Sequence, residues 1–398
     1  MSTLMNTYAR LPVTFTHGKG ALLFDDAGKS YLDGVSGIAV TNLGHAHPAV
    51  TEAVSEQASN LVHCSNLFRI SAQERAADQL TSIAEMDRVF FCNSGAEANE
   101  AAIKLARLHG QRLAVEQSQI IVLEHAFHGR TLATLSASGS RKIQAGFEPL
   151  VSGFVRAPRN DIGAIETIGA SNTGVVAVML EPVQGEGGIH PLDVTYLAAL
   201  KDLCRKQNWL LIFDEVQSGN GRTGSYFYWQ QLGFKPDIVT TAKALGNGVP
   251  IGACLAQGQA AELFAPGHHG STYGGNPLAC AAASAVMDVI CKGSMSEKAP
   301  ALGRTVLDSF QSSFKHSSFI KEVRQAGLMI GIELQSACGE LAERALQEGI
   351  LINVTAGNTI RLLPPLVMEQ QQAQELGERL ALTVNAWLEE SAPLQGAA

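Results

Sequence analysis

The sequence predicts an α/β protein with a large domain, built on a mainly parallel sheet between helices, and a smaller α+β domain. Three observations predict this fold class. The chain has 398 residues, which is too long for one small core. Its middle alternates continuous apolar runs with helical stretches, which is typical of strands buried on both faces of a parallel sheet. From about residue 295 the pattern changes to short strands and a final amphipathic helix.

The elements of the large domain follow from the spacing of apolar residues. A hairpin is expected at residues 21–33, where apolar runs flank a turn at 25–28. A helix is expected after Pro48, because Val50, Val54 and Leu61 lie near helical spacing. A further helix is predicted at 96–108, and buried strands are predicted at 89–92, 120–123, 175–180, 210–213 and 238–239.

The smaller domain is predicted from a different set of elements. Strands are expected at 329–334, 351–354 and 360–363, and a final helix is marked by Leu376, Leu380, Val384 and Leu388. The predicted division of the chain has three parts. Residues 1–45 form an N-terminal segment of the small domain, 46–290 form the large domain, and 291–398 form the C-terminal small domain.

Composition and charge exclude several classes of protein. Hydrophobic residues make up 46 % of the chain and charged residues 17 %, which indicates a globular rather than a disordered protein. The formal net charge is −8, so the basic excess of a nucleic-acid-binding protein is missing. The longest apolar runs are too short to span a membrane, and the N-terminus lacks the pattern of a signal peptide. A cytoplasmic protein without membrane or nucleic-acid partners is expected.

Neither the cysteines nor the histidines predict a metal site. The seven cysteines are scattered, and no two lie at the spacing of zinc ligands, so reduced and mostly buried thiols are expected. His45 and His47 are a potential metal pair, but no nearby cysteine or carboxylate completes a site. We therefore expect no bound metal.

Residues 93–98, with the sequence NSGAEA, lie between a predicted buried strand and a predicted helix. Free N–H groups at the start of a helix, together with a hydroxyl group and a glycine, make an anion-binding site. This pattern favours a phosphate cradle. It is equally typical of an ordinary strand-to-helix turn in which Ser94 caps the helix.

Two further segments place reactive side chains at the ends of predicted strands. Asp214 ends a buried strand, where α/β proteins place ligand contacts, and it could be a metal ligand, a cap or the partner of a cofactor. Lys243 follows the next predicted strand, and glycines come soon after it. Most lysines are solvated surface residues, but a lysine in an apolar site can lose its proton and form a Schiff base.

Together, the three segments match the needs of one cofactor. Pyridoxal phosphate requires an anion cradle, an amine for its aldehyde and a carboxylate opposite its ring nitrogen. The carboxylate keeps the nitrogen protonated, so that the ring can take up the electrons of a substrate carbanion. The joint occurrence is a much stronger signal than any one segment.

The chain resembles the class III aminotransferases, which belong to the fold-type I superfamily of pyridoxal-phosphate enzymes. The resemblance covers nearly the whole chain and is most specific at 181–188 (EPVQGEGG), 214–219, 221–224 and 271–277. Within this family, segments 8–13, 37–40 and 126–131 resemble the subgroup that acts on N2-acetylornithine. The resemblance implies a homodimer with shared active sites.

The resemblance assigns cofactor roles by motif position. Lys243 would form the Schiff base and then shuttle the proton, and Asp214 would pair with the ring nitrogen. Gln217 would approach the ring hydroxyl oxygen, while Phe127 and Val216 would cover the two ring faces. The phosphate would be held by Ser94, Gly95, Ala96 and, from the second subunit, Thr272. Aromatic and aliphatic faces suit a flat ring, and hydroxyl groups suit a phosphate.

The resemblance also implies how the substrates bind. Arg130 and Arg361 would bind the two carboxylates of glutamate or 2-oxoglutarate, because arginine offers a bidentate fork. Glu186 would neutralise Arg361 while the amine donor is bound and swing away for glutamate, and Ser271 would lie near the substrate. A purely structural salt bridge is the alternative for Arg361.

The expected reaction transfers the δ-amino group of N2-acetylornithine to 2-oxoglutarate, in arginine biosynthesis. The alternatives are N2-succinylornithine in arginine breakdown and other ω-amines, namely free ornithine, 4-aminobutyrate and succinyl-diaminopimelate. Ornithine aminotransferases carry a tyrosine in the segment equivalent to 36–43, where this chain has no aromatic residue, and this disfavours free ornithine.

Two other classes of protein compete with this interpretation. A nucleotide-dependent oxidoreductase would need a G-x-G-x-x-G turn after an early strand, and none occurs there. A non-catalytic binding protein would tolerate the loss of Lys243 or Asp214, and both residues are present.

Overall fold

The computed structural model describes residues 3–391, apart from the side chain of Ser391. The strands are, in chain order, β1 Phe15–Lys19, β2 Leu22–Asp25, β3 Ser30–Asp33, β4 Arg88–Cys92, β5 Gln119–Leu123, β6 Phe154–Ala157, β7 Val175–Leu180, β8 Val183–Gln184, β9 His190–Pro191, β10 Leu210–Asp214, β11 Ile238–Thr241, β12 Gly252–Ala256, β13 Ile320–Ala326, β14 Met329–Leu334, β15 Ile350–Leu351, β16 Asn353–Thr355 and β17 Thr359–Leu362. The helices are α1 Ser36–Ala39, α2 Pro48–Asn60, α3 Ser71–Ala84, α4 Gly95–Arg112, α5 Leu132–Ala137, α6 Arg141–Gln144, α7 Ile162–Ser171, α8 Val194–Gln207, α9 Pro277–Lys292, α10 Met295–Ser313, α11 Leu341–Gln347 and α12 Gln370–Ser391.

The large sheet has seven strands in the order β4-β12-β11-β10-β7-β5-β6. All of them run in one direction except β12, which is antiparallel to both of its neighbours. The prediction of a mainly parallel sheet is therefore confirmed. Because the parallel strands share a direction, their carboxyl ends meet at one edge of the sheet, and the loops at this edge carry the candidate site.

Both faces of the large sheet are buried, as the continuous apolar runs predict. Leu210 and Ile212 of β10 belong to the same apolar cluster as Ile103 of α4. The alternate residues Leu211 and Phe213 belong to the main core, together with residues of α8. A strand whose successive side chains enter two cores needs apolar residues at every position, so it shows no alternating pattern.

A smaller antiparallel sheet, in the order β13-β14-β17-β16, forms the C-terminal part of the chain with α10, α11 and α12. A second sheet joins β1, β2 and β3 of the N-terminal segment to β15, which pairs parallel with β3. The N-terminal segment is thus tied to the C-terminal part of the chain. The proposed division of the chain into three parts stays a prediction, and residues 1–2 and 392–398, which it includes, lie outside the described residues.

Most predicted elements are confirmed, within a few residues at their ends. The hairpin at 21–33 corresponds to β2 and β3, and the helix after Pro48 corresponds to α2. The predicted strand at 351–354 is wrong in detail, because β15 and β16 belong to different sheets and are separated by Ile352. Strands β1, β6, β8, β9, β12 and β13 were not predicted from the sequence. β13 has the sequence IKEVRQA, whose charged residues hide the strand pattern.

A buried guanidinium group joins three parts of the chain. Arg222 is fully buried and donates hydrogen bonds to the Asn42 side chain and to the carbonyl oxygens of Leu328 and Pro364. Burial lowers the pKa of Arg222 to about 9, which Asp33 partly opposes. Removing this side chain would leave several buried acceptors without a donor.

None of the seven cysteines, all of which lie in the described part of the chain, forms a disulfide. Between residues 3 and 391, no single helix is long and apolar enough to cross a membrane. Helices α9 and α10 reach that length and hydropathy only as a pair, and they are bent by 72° where they meet. Core helices can meet the same criterion, and α9 packs against α2 and α3.

Candidate active site

A cavity of about 240 Å³ lies at the carboxyl edge of the large sheet. It is lined by predicted site residues from three separate segments and one helix, namely Gly95, Ala96, Phe127, Arg130, Asp214, Val216, Gln217 and Lys243. Asn99, His128, Gly129 and Glu181 complete the lining. The parallel strands explain this convergence, because the segments after β4, β5, β7, β10 and β11 all emerge at the same edge.

The start of α4 forms one wall of the cavity. Ser94 is the N-cap of this helix, and its hydroxyl oxygen accepts a hydrogen bond of 3.2 Å from the Glu97 N–H. Gly95 approaches Val216 so closely that an added Cβ atom would lie 2.6 Å from Val216 Cγ1. The two interpretations of this segment are therefore compatible: Ser94 caps the helix, and the first turn still faces the cavity.

Asp214 lies at the end of β10, and three donors orient its buried carboxylate. Its Oδ2 atom accepts hydrogen bonds of 2.8 Å from both Asn99 Nδ2 and His128 Nδ1, and its Oδ1 atom accepts one from the Val216 N–H. Asn99 is fixed in turn by the Thr240 hydroxyl group. Such a network holds the carboxylate in one orientation, as a charged partner for a ligand requires.

His128 and Glu181 surround this carboxylate. Burial opposes a charge on His128, but the hydrogen bond to Asp214 and its charge outweigh burial, so the pKa of His128 is raised. Burial raises the pKa of Glu181 to about 7, and the Asp214 charge acts in the same direction. The Glu181 carboxylate accepts hydrogen bonds from the Phe127 and Gly185 N–H groups, so it connects two loops of the site.

Lys243 lies two residues beyond Thr241, the end of β11, at the start of a 3-10 turn formed by Lys243–Leu245. Its φ of 49° is unusual for a residue with a side chain, and such conformations concentrate at functional sites. Burial lowers the pKa of the Lys243 amine. The charge of Arg361 acts in the same direction, while Glu186 opposes it. A lysine with a lowered pKa is suited to act as a nucleophile.

Arg361 and Glu186 form an ion pair beside this lysine. Arg361 lies on β17 and is 1 % exposed, and its Nη1 atom lies 2.6 Å from Glu186 Oε1. The Oδ1 atom of Asn353 accepts from Arg361 Nε at 3.1 Å and from Nη2 at 2.7 Å. The Glu186 side chain is 35 % exposed, so it is free to move in a way that Arg361 is not.

Arg130 and the segment at 271–272 lie at the margin of the site. Arg130 is exposed, and its guanidinium carbon lies 5.6 Å from the centroid of the Phe127 ring. Ser271 accepts a hydrogen bond of 3.1 Å from Asn93 Nδ2, next to the start of α4. Thr272 is exposed and is not part of the cavity lining.

Four polar residues of the site were not predicted from the sequence: Asn99, His128, Glu181 and Asn353. Glu181 could have been found by the argument used for Asp214, because it directly follows the buried strand β7. Asn99 lies one helical turn after Gly95, and His128 follows Phe127 in a segment that was singled out for its resemblance. Asn353 had no signal, because its role depends on pairing with β17.

Comparisons with known proteins agree with this geometry. The sequence-family model described as "Aminotransferase class-III" matches residues 4–384. A protein of Nitrosomonas europaea named acetylornithine aminotransferase is 50 % identical over 98 % of this chain and 99 % of its own length. A structure of the Toxoplasma gondii ornithine aminotransferase, with partial occupancy of PLP at its active site, has a TM-score of 0.93 at 32 % identity. It covers 98 % of this chain and 93 % of that chain.

The acetylornithine aminotransferase of Elizabethkingia anophelis has a TM-score of 0.85 at 34 % identity, and the match covers 96 % of this chain and 95 % of that chain. These matches confirm the predicted resemblance and the predicted fold class. They extend over almost the whole length of the chain and of its relatives, so they include every loop of the site described above. The chain belongs to the class III aminotransferase family.

Proposed function

We propose that this aminotransferase uses pyridoxal phosphate to move the δ-amino group of N2-acetylornithine to 2-oxoglutarate, giving N-acetylglutamate semialdehyde and glutamate. One observation carries the cofactor assignment: the Lys243 amine, whose pKa is lowered, lines the same cavity as the Asp214 carboxylate and the first turn of α4. The substrate assignment is supported by relatives with the name acetylornithine aminotransferase that are 46–50 % identical to this chain.

The residues of the cavity fit the cofactor. Two buried polar atoms of lining residues, Gln217 Oε1 and His128 Nε2, have no hydrogen-bond partner in the described part of the chain. The start of α4 offers N–H groups to a phosphate, and Gly95 keeps the space beside Val216 open. Phe127 and Val216 offer aromatic and aliphatic surface to a flat ring.

The roles of the chain's own residues follow from their surroundings. Lys243 would hold the cofactor through its amine and move a proton at the substrate carbon. Asp214, which is fixed by Asn99 and His128, would keep the ring nitrogen protonated. When bound, pyridoxal phosphate supplies an electron sink for the carbanion formed at that carbon.

The charges of the site suit two different substrates. N2-acetylornithine has one carboxylate, for Arg130, and glutamate has a second one, for Arg361. The ion pair with Glu186 would neutralise Arg361 while the monocarboxylate is bound. The acyl group removes the α-ammonium charge, so no acidic or aromatic group is needed to bind a second amine. This agrees with the lack of an aromatic residue at 36–43.

The cofactor assignment is tested by absorption spectroscopy of the purified protein. We expect a band near about 400–430 nm that borohydride bleaches, and we expect Lys243→Ala to lose both the band and turnover while keeping its fold. Lys235→Ala is the matched control, because Lys235 precedes the same strand and pairs with Glu85 at the surface. A borohydride-sensitive band in Lys243→Ala would mean that another lysine binds the cofactor.

The substrate assignment is tested by measuring kcat/KM for five donors side by side: N2-acetylornithine, N2-succinylornithine, free ornithine, 4-aminobutyrate and succinyl-diaminopimelate. We expect the acetylated donor to give the highest value. A higher value for succinylornithine would assign the chain to arginine breakdown. A preference for free ornithine or 4-aminobutyrate over both acylated ornithines would overturn the substrate assignment and leave the cofactor assignment intact.

We also propose that the active sites are completed in a homodimer. Leu67, Phe68 and Tyr273 are 87 %, 67 % and 63 % exposed, which is unusual for large apolar side chains. They lie together, because the Asn66 side chain donates hydrogen bonds to the carbonyl oxygens of Ser271 and Gly274. A second copy of the chain that covers this surface would place Thr272 at its own active site. Thr272 is exposed here, and its hydroxyl group suits a phosphate.

A further inference from the structure

We propose that Asn353 positions the Arg361 guanidinium group and fixes the edge on which it receives the second carboxylate of glutamate or 2-oxoglutarate. The inference rests on the proposed function, since it concerns the dicarboxylate half of the reaction. It goes further by naming a residue that orients Arg361 without neutralising its positive charge.

Two partners divide the guanidinium group between them. Asn353 Oδ1 accepts from Nε at 3.1 Å and from Nη2 at 2.7 Å, so it occupies the side edge of the planar group. Glu186 Oε1 accepts from Nη1 at 2.6 Å. A substrate carboxylate that replaces Glu186 can therefore bind only at the end edge of the guanidinium group, which is formed by Nη1 and Nη2.

The two partners differ in how firmly they are held. Asn353 lies on β16, directly opposite Arg361 on β17 in the antiparallel register, and both strands belong to the same four-stranded sheet. Glu186 lies in the connection between β8 and β9. The Thr355 hydroxyl group, two residues from Asn353 along β16, donates a hydrogen bond of 2.5 Å to the Glu186 carbonyl oxygen.

Because of this difference, Glu186 can move while Asn353 keeps the guanidinium group of Arg361 oriented. Because the Glu186 main chain is anchored to β16, its carboxylate can leave Arg361 by side-chain rotation alone. Asn353 stays in place, since it moves only with the sheet. The guanidinium group thus keeps its plane when Glu186 withdraws, and ordering it adds no entropy cost at the moment the substrate binds.

The neutral charge of Asn353 matters as much as its position. An amide oxygen orients Arg361 without neutralising it, so the full positive charge becomes available when Glu186 moves away. An aspartate at the same position would be nearly identical in shape and would form a stronger bond to Arg361. It would also neutralise Arg361 permanently, which suits the monocarboxylate donor and penalises the dicarboxylate.

Asn353→Asp tests the inference in the cofactor-loaded enzyme. The readout besides activity is calorimetric binding of glutarate, which carries the two carboxylates of 2-oxoglutarate, against pentanoate, which has one. We expect the affinity for glutarate to fall at least about tenfold and that for pentanoate to change less than about twofold. The KM for 2-oxoglutarate should rise in parallel, while the half-reaction with acetylornithine keeps its rate.

Two further variants control for added charge and for folding. Asn172→Asp adds the same charge in the loop before β7, at the edge of the large sheet opposite the cavity. The aspartate still accepts from the Gly174 N–H, so the affinities for glutarate and pentanoate should both match wild type. Asn353→Ala removes the acceptor without adding charge, and we expect a threefold to tenfold loss of glutarate affinity, of the order of one weakened hydrogen bond. Thermal unfolding establishes that each variant is folded.

The outcomes separate this inference from the proposed function. If wild type does not prefer glutarate to pentanoate, Arg361 does not bind a second carboxylate, and both proposals fail. If wild type shows the preference and folded Asn353→Asp keeps it unchanged, only the role of Asn353 is wrong. A purely structural role predicts that second result, because aspartate satisfies the guanidinium donors at least as well as asparagine does.

Discussion

At the scale of single residues, the site depends on charges that are held by several hydrogen-bond donors and acceptors. Asp214 accepts from Asn99, His128 and the main chain, and Arg361 donates to Asn353 as well as to Glu186. In each case one partner fixes the direction of the charged group, so that its charge can act on a ligand. A substitution that keeps the size of such a charged group and removes its charge therefore tests the role of the charge alone.

Replacing Asp214 with asparagine keeps its size and removes its charge. We expect kcat to fall at least about 10²-fold, since the ring nitrogen would lose its charged partner in a site that excludes water. The measurement is the rate of each half-reaction, followed by absorbance, in variant and wild type. Asp202→Asn is the control, because Asp202 is an exposed partner of Arg205 on α8. Unchanged rates in Asp214→Asn would reduce Asp214 to a structural cap of its strand.

At the scale of elements, the close approach of α4 to the loop after β10 decides the shape of the cavity. The helix begins at Gly95, and a side chain at this position would meet the branched side chain of Val216. Valine has a stiff χ1 angle, so the contact cannot be relieved without moving a loop or the helix. Glycine at position 95 therefore sets the distance between the proposed phosphate cradle and one proposed ring face.

Gly95→Ala should consequently weaken cofactor binding. The new Cβ atom would lie 2.6 Å and 2.9 Å from the two methyl groups of Val216. Overpacking of this kind costs about 1–3 kcal/mol, so we expect about a 5-fold to 140-fold loss of affinity when the apoenzyme is titrated with pyridoxal phosphate.

The double variant Gly95→Ala/Val216→Ala removes the contact and should recover part of that loss. Gly163→Ala is the control for the substitution itself, because Gly163 lies within α7. A Cβ atom added there would lie 3.5 Å from Asp161 Oδ1, which is an ordinary contact distance. If the double variant bound the cofactor no better than Gly95→Ala, the clash with Val216 would not be the cause.

At the scale of the whole molecule, the proposed homodimer accounts for both the exposed apolar surface at Leu67, Phe68 and Tyr273 and the proposed role of Thr272. Thr272 lies outside the cavity of its own chain, although the family resemblance assigns it to the phosphate. Two-fold symmetry would let each chain supply this residue to the other. A dimer of this kind has two sites, and each site depends on both chains.

Mixing two inactive variants tests this arrangement. Lys243→Ala and Thr272→Arg homodimers should both be inactive, but a heterodimer has one site with an intact Lys243 and an intact Thr272 from the other chain. Subunit exchange should therefore restore up to about half of the wild-type activity per heterodimer. If Thr272 acted within its own chain, both sites of the heterodimer would be defective and no activity would return. Full activity in a verified monomer would also exclude the shared site.

The fold class and most residues of the proposed site could be predicted from the amino-acid sequence. Continuous apolar runs such as 175–180 predict strands buried on both faces, because only a sheet covered by helices needs apolar residues at every position. Lys243, Asp214 and the segment at 93–98 were identified because each follows a predicted strand. The carboxyl ends of parallel strands lie along one edge of the sheet whatever the exact strand order is.

The polar residues that hold Asp214 and Arg361 in place could be identified only in the tertiary structure. His128 and Asn99 meet at Asp214 from different parts of the chain, and Asn353 meets Arg361 through the pairing of β16 with β17, which the sequence did not predict. Likewise, β12 entered the large sheet antiparallel, and β3 paired with β15 from the far end of the chain. Such pairings depend on strand register and on contacts between distant segments, for which a single sequence has no local signal, because hydrogen bonding and packing select them only once the core has formed.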